Sequence, residues 1–176
     1  MRVTILGCGG SSGVPLIGNF WGECDPAEPR NRRRRVSILV EDGDTRVLVD
    51  ASPDLREQLL DANVSRLSGV VLTHAHADHL HGIDDLRAVN YLMQAPLPLY
   101  ATPATLAEVE RRFGYALKPL GGAGIDYYRP ALTPKPIDGP AFEVGGIRFQ
   151  GFEQDHGIGG TTLGLRFGKA AYSTDV

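Results

Sequence analysis

GVVLTHAHADHLHGIDDLR, residues 69–87, is the stretch that decides the fold of this chain. It opens with the β-branched, apolar run Val70–Leu72, which predicts a short buried strand. The strand is predicted to end at Thr73, and the segment HAHADH (74–79) that follows contains only metal-ligating side chains and alanines. Apolar residues then recur at three-residue steps from Leu80, which favours a helix. The metal-ligating side chains therefore lie in a predicted strand–turn–helix unit.

The spacing within HAHADH indicates a metal site. His74 and His76 are two residues apart, so in an extended segment both imidazoles point the same way and can bind one ion. Asp78 and His79 fall where the chain turns into the helix, so their side chains can diverge toward a second position. Imidazoles with one carboxylate suit Zn²⁺, or a similar ion such as Mn²⁺ or iron. Two such ions would share a bridging hydroxide that attacks phosphorus or a carbonyl carbon.

Two later residues can complete this site. His156 is the only histidine outside residues 74–81, and it stands at a predicted strand end, so it is the natural third imidazole for the first ion. Asp175 follows the last predicted strand, where a carboxylate can bridge two metals, although such an aspartate is more often a cap or turn former. We interpret His81 as a residue at the helix start or one that supports a ligand.

Composition narrows the class of protein. The chain has 176 residues and is 42% apolar, which predicts one domain, residues 1–176, with a real core. A net charge of −3 does not favour nucleic acid or an anionic membrane surface as a partner, and no apolar run approaches the length of a membrane span. With only two cysteines there is no disulfide framework, and we expect a cytoplasmic setting.

The remaining pattern predicts an α/β domain. The helix that follows the third strand is expected to have Ser52 as its N-cap and Leu55, Leu59 and Leu60 as its buried face. Asp50 either supports a ligand histidine or caps a turn. Residues 118–140 are expected to form a long loop, a lid or a binding loop. Strands are predicted at residues 2–6, 36–41, 45–50, 70–72, 96–101, 142–152 (a hairpin), 161–167 and 169–174, and a further helix from Thr102–Pro103 to Phe113.

Two segments are candidates for substrate binding. The loop GCGGSSGVP (7–15) lacks the spacing of a nucleotide P-loop, but its amides with Ser11 and Ser12 can line an anion pocket; a plain tight turn is an equal alternative. RNRRRR (30–35) precedes a strand, so Arg35 or Arg33 can meet a substrate phosphate by bidentate hydrogen bonding, while the other arginines are expected to be solvated.

Together these residues closely resemble one family. HAHADH after a strand, an isolated later histidine and an aspartate after YST look like the metallo-β-lactamase fold, along the whole chain. The segments GCGGSSGVP, RNRRRRVSILV, LVDASPDLREQLL and THAHADHLHGIDDLR are most similar to PhnP-type phosphodiesterases, which resemble phosphoribosyl cyclic phosphate phosphodiesterase and are relatives of tRNA 3′-processing endonucleases. The resemblance implies a four-layer αββα sandwich with a dinuclear site, two divalent ions of Zn or Mn. It assigns one ion to His74, His76 and His156, the other to Asp78 and His79, and the bridge to Asp175.

The chain departs from that family in two ways. Members of the fold supply a further histidine beyond the bridging aspartate, whereas all five histidines here precede Asp175. We therefore expect the N-terminal two-thirds of a longer protein, with the C-terminal part of the second half, a metal ligand and the general acid missing. An incomplete sheet would expose an edge, which makes a homodimer conceivable. PhnP-type enzymes also carry clustered cysteines near the N-terminus, where this chain has only Cys24, so we do not expect that structural zinc site.

The functional hypothesis is a metal-dependent phosphodiesterase. We expect a small cyclic or nucleotide-like phosphodiester as substrate, attack by a metal-bridging hydroxide, and Asp78 as the residue that orients the nucleophile or accepts its proton. The alternatives are a hydrolase of the same fold that acts on a thioester or lactone, and a non-catalytic fragment that binds a metal or ligand. We expect no stable nucleic-acid complex and no membrane partner.

Overall fold

The computed structural model describes residues 1–120 and 127–176. Within these ranges no helix is both long enough and apolar enough to cross a membrane. The strands are β1 (Arg2–Gly7), β2 (Ser37–Asp42), β3 (Thr45–Val49), β4 (Gly69–Val71), β5 (Leu97–Ala101), β6 (Leu132–Pro136), β7 (Ala141–Val144), β8 (Ile147–Asp155), β9 (Thr161–Phe167) and β10 (Ala170–Tyr172). The helices are α1 (Leu55–Asp61), α2 (Ala77–Leu80), α3 (Leu86–Met93) and α4 (Pro103–Leu117), with 3-10 turns at Pro29–Asn31, Ile83–Asp85 and Gly157–Gly159.

The strands form two sheets. The first has the order β1-β2-β3-β4-β5-β6, in which β1 to β3 are antiparallel and β3 to β6 are parallel. The second is antiparallel throughout, with the order β10-β9-β8-β7. The carboxyl ends of β3 and β4 lie side by side, because Val49 is paired with Val71. This edge of the first sheet is where the HAHADH segment begins.

Strands β2, β3 and β4 of the first sheet are buried on both faces, which explains their continuous apolar sequences. On one face Leu39 and Leu48 pack with residues from all four helices, such as Leu55 and Val109. On the other face Ile38 and its neighbours pack against the second sheet. The described residues thus form three layers, helices, sheet and sheet, of the four expected from the resemblance. The strand predictions are confirmed to within three residues at each end, except that β6 was not predicted.

The predicted start of the first helix is wrong. Asp54 occupies the N-cap position and α1 begins at Leu55. The Ser52 hydroxyl instead accepts a hydrogen bond from the Asp54 amide (3.3 Å) and donates one to Gln58 Oε1 (3.0 Å). Leu60 was expected to be buried, but its side chain is 59% exposed. Positions four residues apart share a helix face, so Leu55 and Leu59 face the core and the residue after Leu59 does not.

The loop predicted for residues 118–140 is wrong in part, because it contains β6. This strand pairs in parallel with β5 at the edge of the first sheet. The prolines of LTPKP predicted a loop here, but an edge strand tolerates proline because one of its sides needs no backbone hydrogen bonds. Tyr127 is buried, consistent with structural packing, whereas Tyr128 is exposed beside Arg129. Residues 121–126, which belong to the expected lid, lie outside the described residues.

Two leucines of α1 give a matched test of the core. Leu55→Ala removes a fully buried side chain, and we expect it to lower the free energy of unfolding by about 2–5 kcal/mol. Leu60→Ala makes the same change at an exposed position and should cost no more than about 0.5 kcal/mol. Urea denaturation followed by circular dichroism measures both, and equal losses would contradict this packing.

Candidate metal centre

The HAHADH segment leaves the first sheet at the end of β4. Thr73 and His74 are buried, His76 occupies the N-cap position of α2, and His79 lies buried within that short helix. The helix is fastened to the end of β3 by two backbone hydrogen bonds, from the Ala51 amide to the His79 carbonyl (2.8 Å) and from the Gly82 amide to the Ala51 carbonyl (2.9 Å). The segment therefore has one fixed position at the sheet edge.

Glycine is required at position 82 by this close approach. A Cβ there would lie 1.9 Å from the Ser52 carbonyl oxygen. The same applies at Gly159, where a Cβ would lie 2.3 Å from the His156 ring. Both glycines thus allow neighbouring backbone or imidazole to occupy the space beside the site.

The structure brings the predicted ligands together in two clusters. The ligand atoms within each cluster all lie within 4.8 Å of one another, and Asp175 belongs to both. One cluster is His74, His76, His156 and Asp175; the other is Asp78, His79 and Asp175. His156 comes from the end of β8 and Asp175 from the segment after β10, so the second sheet supplies what the first sheet lacks. His81 lies in neither cluster; it is exposed and its ring stands edge-on to Phe113.

The spacing of the donor atoms in the first cluster fits a shared cation. His156 Nε2 lies 3.3 Å from His76 Nδ1, and His74 Nε2 lies 3.4 Å from Asp175 Oδ2. Ligands at about 2.0–2.1 Å from a tetrahedral Zn²⁺ are separated by about 3.3 Å. Among the described residues, the buried Nε2 atom of His74 makes no hydrogen bond, although buried polar atoms normally have a partner, and His79 Nε2 has Asp175 Oδ2 at 2.9 Å as its neighbour. The donor set therefore fits divalent metal.

Asp50 orients the two buried histidines. It lies fully buried at the end of β3, and its Oδ2 accepts a hydrogen bond from His79 Nδ1 (2.8 Å). Its Oδ1 accepts from the Thr73 amide (2.8 Å), and the Thr73 hydroxyl lies 2.9 Å from Oδ2. Asp50 has a φ of +63°, a left-handed conformation that is uncommon outside glycine. Of the two alternatives for this residue, the structure shows the contact with a histidine.

These contacts determine which ring nitrogens are free. A carboxylate only accepts hydrogen bonds, so the Thr73 hydroxyl must donate to Asp50 and accept from His74 Nδ1, which lies 3.0 Å away. His79 Nδ1 also donates to Asp50. In their neutral forms both rings consequently carry the proton on Nδ1 and present the Nε2 lone pair to the clusters. This is the tautomer that a metal-binding imidazole needs.

The pKa values of the two buried histidines are shifted in opposite directions. Burial, together with the neighbouring imidazoles, lowers the pKa of His74 to about 3, so its neutral form is the stable one. Burial also opposes protonation of His79, but its hydrogen bond to Asp50 and the charges of Asp50, Asp78 and Asp175 outweigh this effect and raise the pKa of that imidazole. The second cluster is thus the more attractive of the two to positive charge.

Arg112 is a contact that the sequence did not reveal. It lies on α4, and its Nη2 donates a hydrogen bond of 2.5 Å to the carbonyl of Ala75, between the first two histidines of the segment. Glu108, one turn earlier, lies 3.4 Å from Arg112 Nε and steadies the guanidinium. Thr73 was also missed as a functional residue, although a hydroxyl next to the first histidine was visible in the sequence. Nothing in the sequence connects Arg112 with Ala75.

A cavity of about 430 Å³ opens beside the clusters. Its walls combine Asp78 and Asp175 with the glycine loop at residues 7–10 and with apolar residues of both sheets, such as Phe167. Ser11, Ser12 and Arg35 do not line this cavity. The bidentate hydrogen bonding expected from Arg35 to a phosphate is made instead to Asp54, at 2.8 and 2.5 Å. That ion pair also lowers the pKa of Asp54.

Comparison with known proteins gives consistent similarities. The model of the beta-lactamase superfamily domain matches residues 45–176. A solved structure of a diphosphatase from the PhnP family is 33% identical with a TM-score of 0.81, over 97% of this chain and 63% of that one. An octanoyltransferase of Porphyromonas gingivalis is 34% identical over 177 residues, 100% of this chain and 35% of that protein. A ribonuclease Z of Mycobacterium bovis is 29% identical over 182 residues, 94% of this chain and 58% of that protein. The chain thus spans about a third to three-fifths of these relatives' lengths.

Asp50→Asn tests the orienting network. The amide keeps the size of the side chain but cannot accept hydrogen bonds from both His79 and Thr73, so we expect Zn²⁺ affinity to fall by about 10- to 100-fold. Competition with a chromogenic chelator measures the affinity. Asp61→Asn, the same change at an exposed residue, is the control. An unchanged affinity in a folded Asp50→Asn protein would show that the network does not position the ligands.

Two neighbouring arginines of α4 test the contact to Ala75. Arg111 and Arg112 both lie beside Glu108, but only Arg112 reaches the Ala75 carbonyl. We expect Arg112→Ala to weaken Zn²⁺ binding about tenfold, because the segment between His74 and His76 loses its support. Arg111→Ala should change it by less than about twofold, because an exposed ion pair contributes little. Equal effects in the same chelator competition would contradict the role of Arg112.

Proposed function

Because this chain belongs to the beta-lactamase superfamily, we propose that it is part of a metal-dependent phosphodiesterase that hydrolyses a small cyclic or nucleotide-like phosphodiester. Family membership and the layered α/β arrangement confirm the fold class and the resemblance predicted from the sequence. The observation that carries the proposal is the convergence of two clusters of nitrogen and oxygen donors that share Asp175.

In this proposal the two clusters hold two divalent cations, Zn²⁺ or Mn²⁺. His74, His76 and His156 would hold one, Asp78 and His79 the other, with Asp175 between them. Bound there, such cations supply Lewis-acid chemistry: they lower the pKa of water and neutralise the charge that develops on phosphoryl oxygens. The support is the donor set itself, since neutral imidazoles and carboxylates suit these ions.

The protein's own groups prepare the site for this reaction. Asp50 and Thr73 keep the Nε2 lone pairs of the buried histidines directed at the clusters, so no reorientation is needed when substrate binds. Asp78 lines the cavity, with Oδ2 3.5 Å from His79 Nε2. Its carboxylate is therefore placed to orient an attacking water and to accept its proton.

The cavity supports an organic phosphodiester as substrate. Its lining combines Asp78 and Asp175 with apolar residues, among them Val36, Ile38 and Phe167. Such a pocket can enclose a small organic group while the phosphoryl group faces the clusters. A volume of about 430 Å³ suits a molecule of nucleotide-like size.

The similar proteins favour phosphorus as the electrophile. The PhnP-family diphosphatase and the ribonuclease Z are both named for hydrolysis at phosphorus. The similarity covers more than nine-tenths of this chain in both cases, and 63% and 58% of those two proteins. The second candidate is a hydrolase or transferase of acyl groups on the same centre. It is favoured by the relative named octanoyltransferase, although the similarity covers only 35% of that protein.

Two histidines, one inside and one outside the clusters, test the proposal. His76→Ala removes a cluster residue, and we expect kcat/KM for bis-(p-nitrophenyl) phosphate to fall at least about 100-fold with Mn²⁺ or Zn²⁺ present. His81→Ala is the same substitution five residues further along the chain, on an exposed residue that belongs to neither cluster, and should retain activity. Elemental analysis should find about two ions per chain in the parent protein and fewer in His76→Ala.

Three results would contradict the proposal. Equal phosphodiester hydrolysis by the parent protein and His76→Ala would exclude this centre. Hydrolysis of a thioester or lactone in the absence of phosphodiester hydrolysis would favour acyl chemistry. One ion or none per chain, with no turnover of any of these substrates, would indicate a protein that binds a metal or ligand without catalysis.

A further inference from the structure

The segment that carries Asp175 leaves the second sheet before that residue is reached. In the part of the chain that the structure describes, the pairing of β10 with β9 ends at Tyr172 and Leu165. Asp175 lies beyond this pair and has a φ of +54°, a left-handed conformation that is uncommon outside glycine. Because both clusters share Asp175, its position affects both. Contacts other than strand pairing must therefore fix residues 173–175.

Side chains of β8 and β9 hold this segment. Gln154 Nε2 donates a hydrogen bond of 2.6 Å to the Ser173 hydroxyl, and the Thr162 hydroxyl donates one of 3.2 Å to the Thr174 carbonyl. Gln154 and Thr162 are directly paired across the two strands. The Thr174 hydroxyl in turn donates to Asp175 Oδ1 (3.2 Å). A chain of side-chain contacts thus leads from the second sheet to the shared carboxylate.

Glycine at position 164 lets the Gln154 side chain cross β9. Gly164 belongs to β9, which lies between the strand that carries Gln154 and the strand that leads to Ser173. A Cβ at this position would lie 2.5 Å from Gln154 Oε1 and 2.2 Å from the ring of Phe152. Both distances are well below the separation of non-bonded atoms, so a larger residue would displace the two side chains. The sequence of β9 therefore accommodates the crossing.

The Gln154 amide carries an energetic penalty in this position. Its Oε1 is buried and, among residues 1–120 and 127–176, has no hydrogen-bond partner. A buried carbonyl oxygen without a partner is destabilising, and such a group in a native protein calls for an explanation. An apolar side chain of similar size would avoid the penalty but would lose the hydrogen bond to Ser173. A role in placing Asp175 supplies the explanation.

We propose that Gln154 is a positioning residue of the metal centre, which fixes through Ser173 the segment that carries Asp175. Resting on the proposed function, this role requires that the two clusters hold divalent ions. It concerns the binding of these ions, so metal affinity tests it independently of turnover.

Two glutamines of β8 give a matched test. Gln150 and Gln154 lie on the same face of the regularly paired strand, because their positions differ by an even number. Gln150 Oε1 accepts a hydrogen bond of 3.1 Å from Arg166 instead. In Gln154→Met, which keeps the length of the side chain and removes the amide, we expect Zn²⁺ affinity to fall about tenfold. Gln150→Met should stay within about twofold of the parent protein in the same chelator competition.

The pattern of the loss separates an effect on Asp175 from one on His156, which follows Gln154 closely in the chain. Asp175 is shared, so its displacement weakens both binding steps, whereas displacement of His156 weakens only that of the first cluster. We therefore expect Gln154→Met to weaken both steps of a Zn²⁺ titration and His156→Ala to weaken one. The visible absorption of the Co²⁺-loaded protein, which reports ligand geometry, should change in Gln154→Met and not in Gln150→Met.

Ser173 tests the same contact from its other end. It is exposed, so Ser173→Ala does not endanger folding. We expect this variant to lose as much Zn²⁺ affinity as Gln154→Met, and the double variant to lose no more, because the two groups share one hydrogen bond. Urea denaturation of the metal-free proteins should show no larger loss of stability in Gln154→Met than in Gln150→Met, since the penalty of the buried oxygen is removed.

The remaining outcomes separate this role from the proposed function. Unchanged Zn²⁺ affinity in Ser173→Ala and in folded Gln154→Met, or additive losses in the double variant, would overturn the positioning role. Weakening of one binding step only would assign the effect to His156. A parent protein that binds about two ions with Gln154-dependent affinity but hydrolyses no diester would refute the proposed function and leave the positioning role standing. Absence of Zn²⁺ binding by the parent protein would overturn both.

Discussion

The hydrogen bonds of the buried Asp50 carboxylate are the interaction on which the site depends. They hold His79 directly and His74 through the Thr73 hydroxyl, so one side chain sets the orientation of both buried imidazoles. A carboxylate without solvent contact is costly unless its oxygens are satisfied, and here backbone amide, hydroxyl and imidazole satisfy them. The left-handed backbone at Asp50 is the local strain that accompanies this placement.

The second sheet supplies the remaining donor residues of the two clusters. His156 and Asp175 reach the clusters only because the two sheets pack face to face, through a core that includes Phe149 and Phe167. At the site itself the Leu163 amide of β9 donates a hydrogen bond of 3.0 Å to the Thr73 carbonyl, which joins the second sheet to the metal segment. Assembly of the donor set therefore depends on the packing between the two sheets. Loss of this core would separate the ligands as well as destabilise the fold.

Several local predictions failed for reasons that are tertiary. Ser52 has the residue type of an N-cap, but its hydroxyl is engaged with Gln58 and the cap position passes to Asp54. The prolines of 132–136 indicate a loop, yet an edge position in the sheet tolerates them. Arg35 has the chemistry of a phosphate ligand, but Asp54 lies within reach and takes its hydrogen bonds. In each case a partner distant in sequence, or a position in the sheet, outweighed the local preference.

The sequence by itself determined the fold class, the main strands and the list of side chains that converge on the centre. Hydrophobic periodicity and donor spacing are local properties, so the HAHADH segment could be interpreted without coordinates. Only the tertiary structure decided that Asp50 and Thr73 select the tautomers, that Arg112 supports Ala75, and that Gln154 reaches Ser173 across β9. These features are contacts between elements far apart along the chain, and their free energy depends on distances that no local pattern encodes.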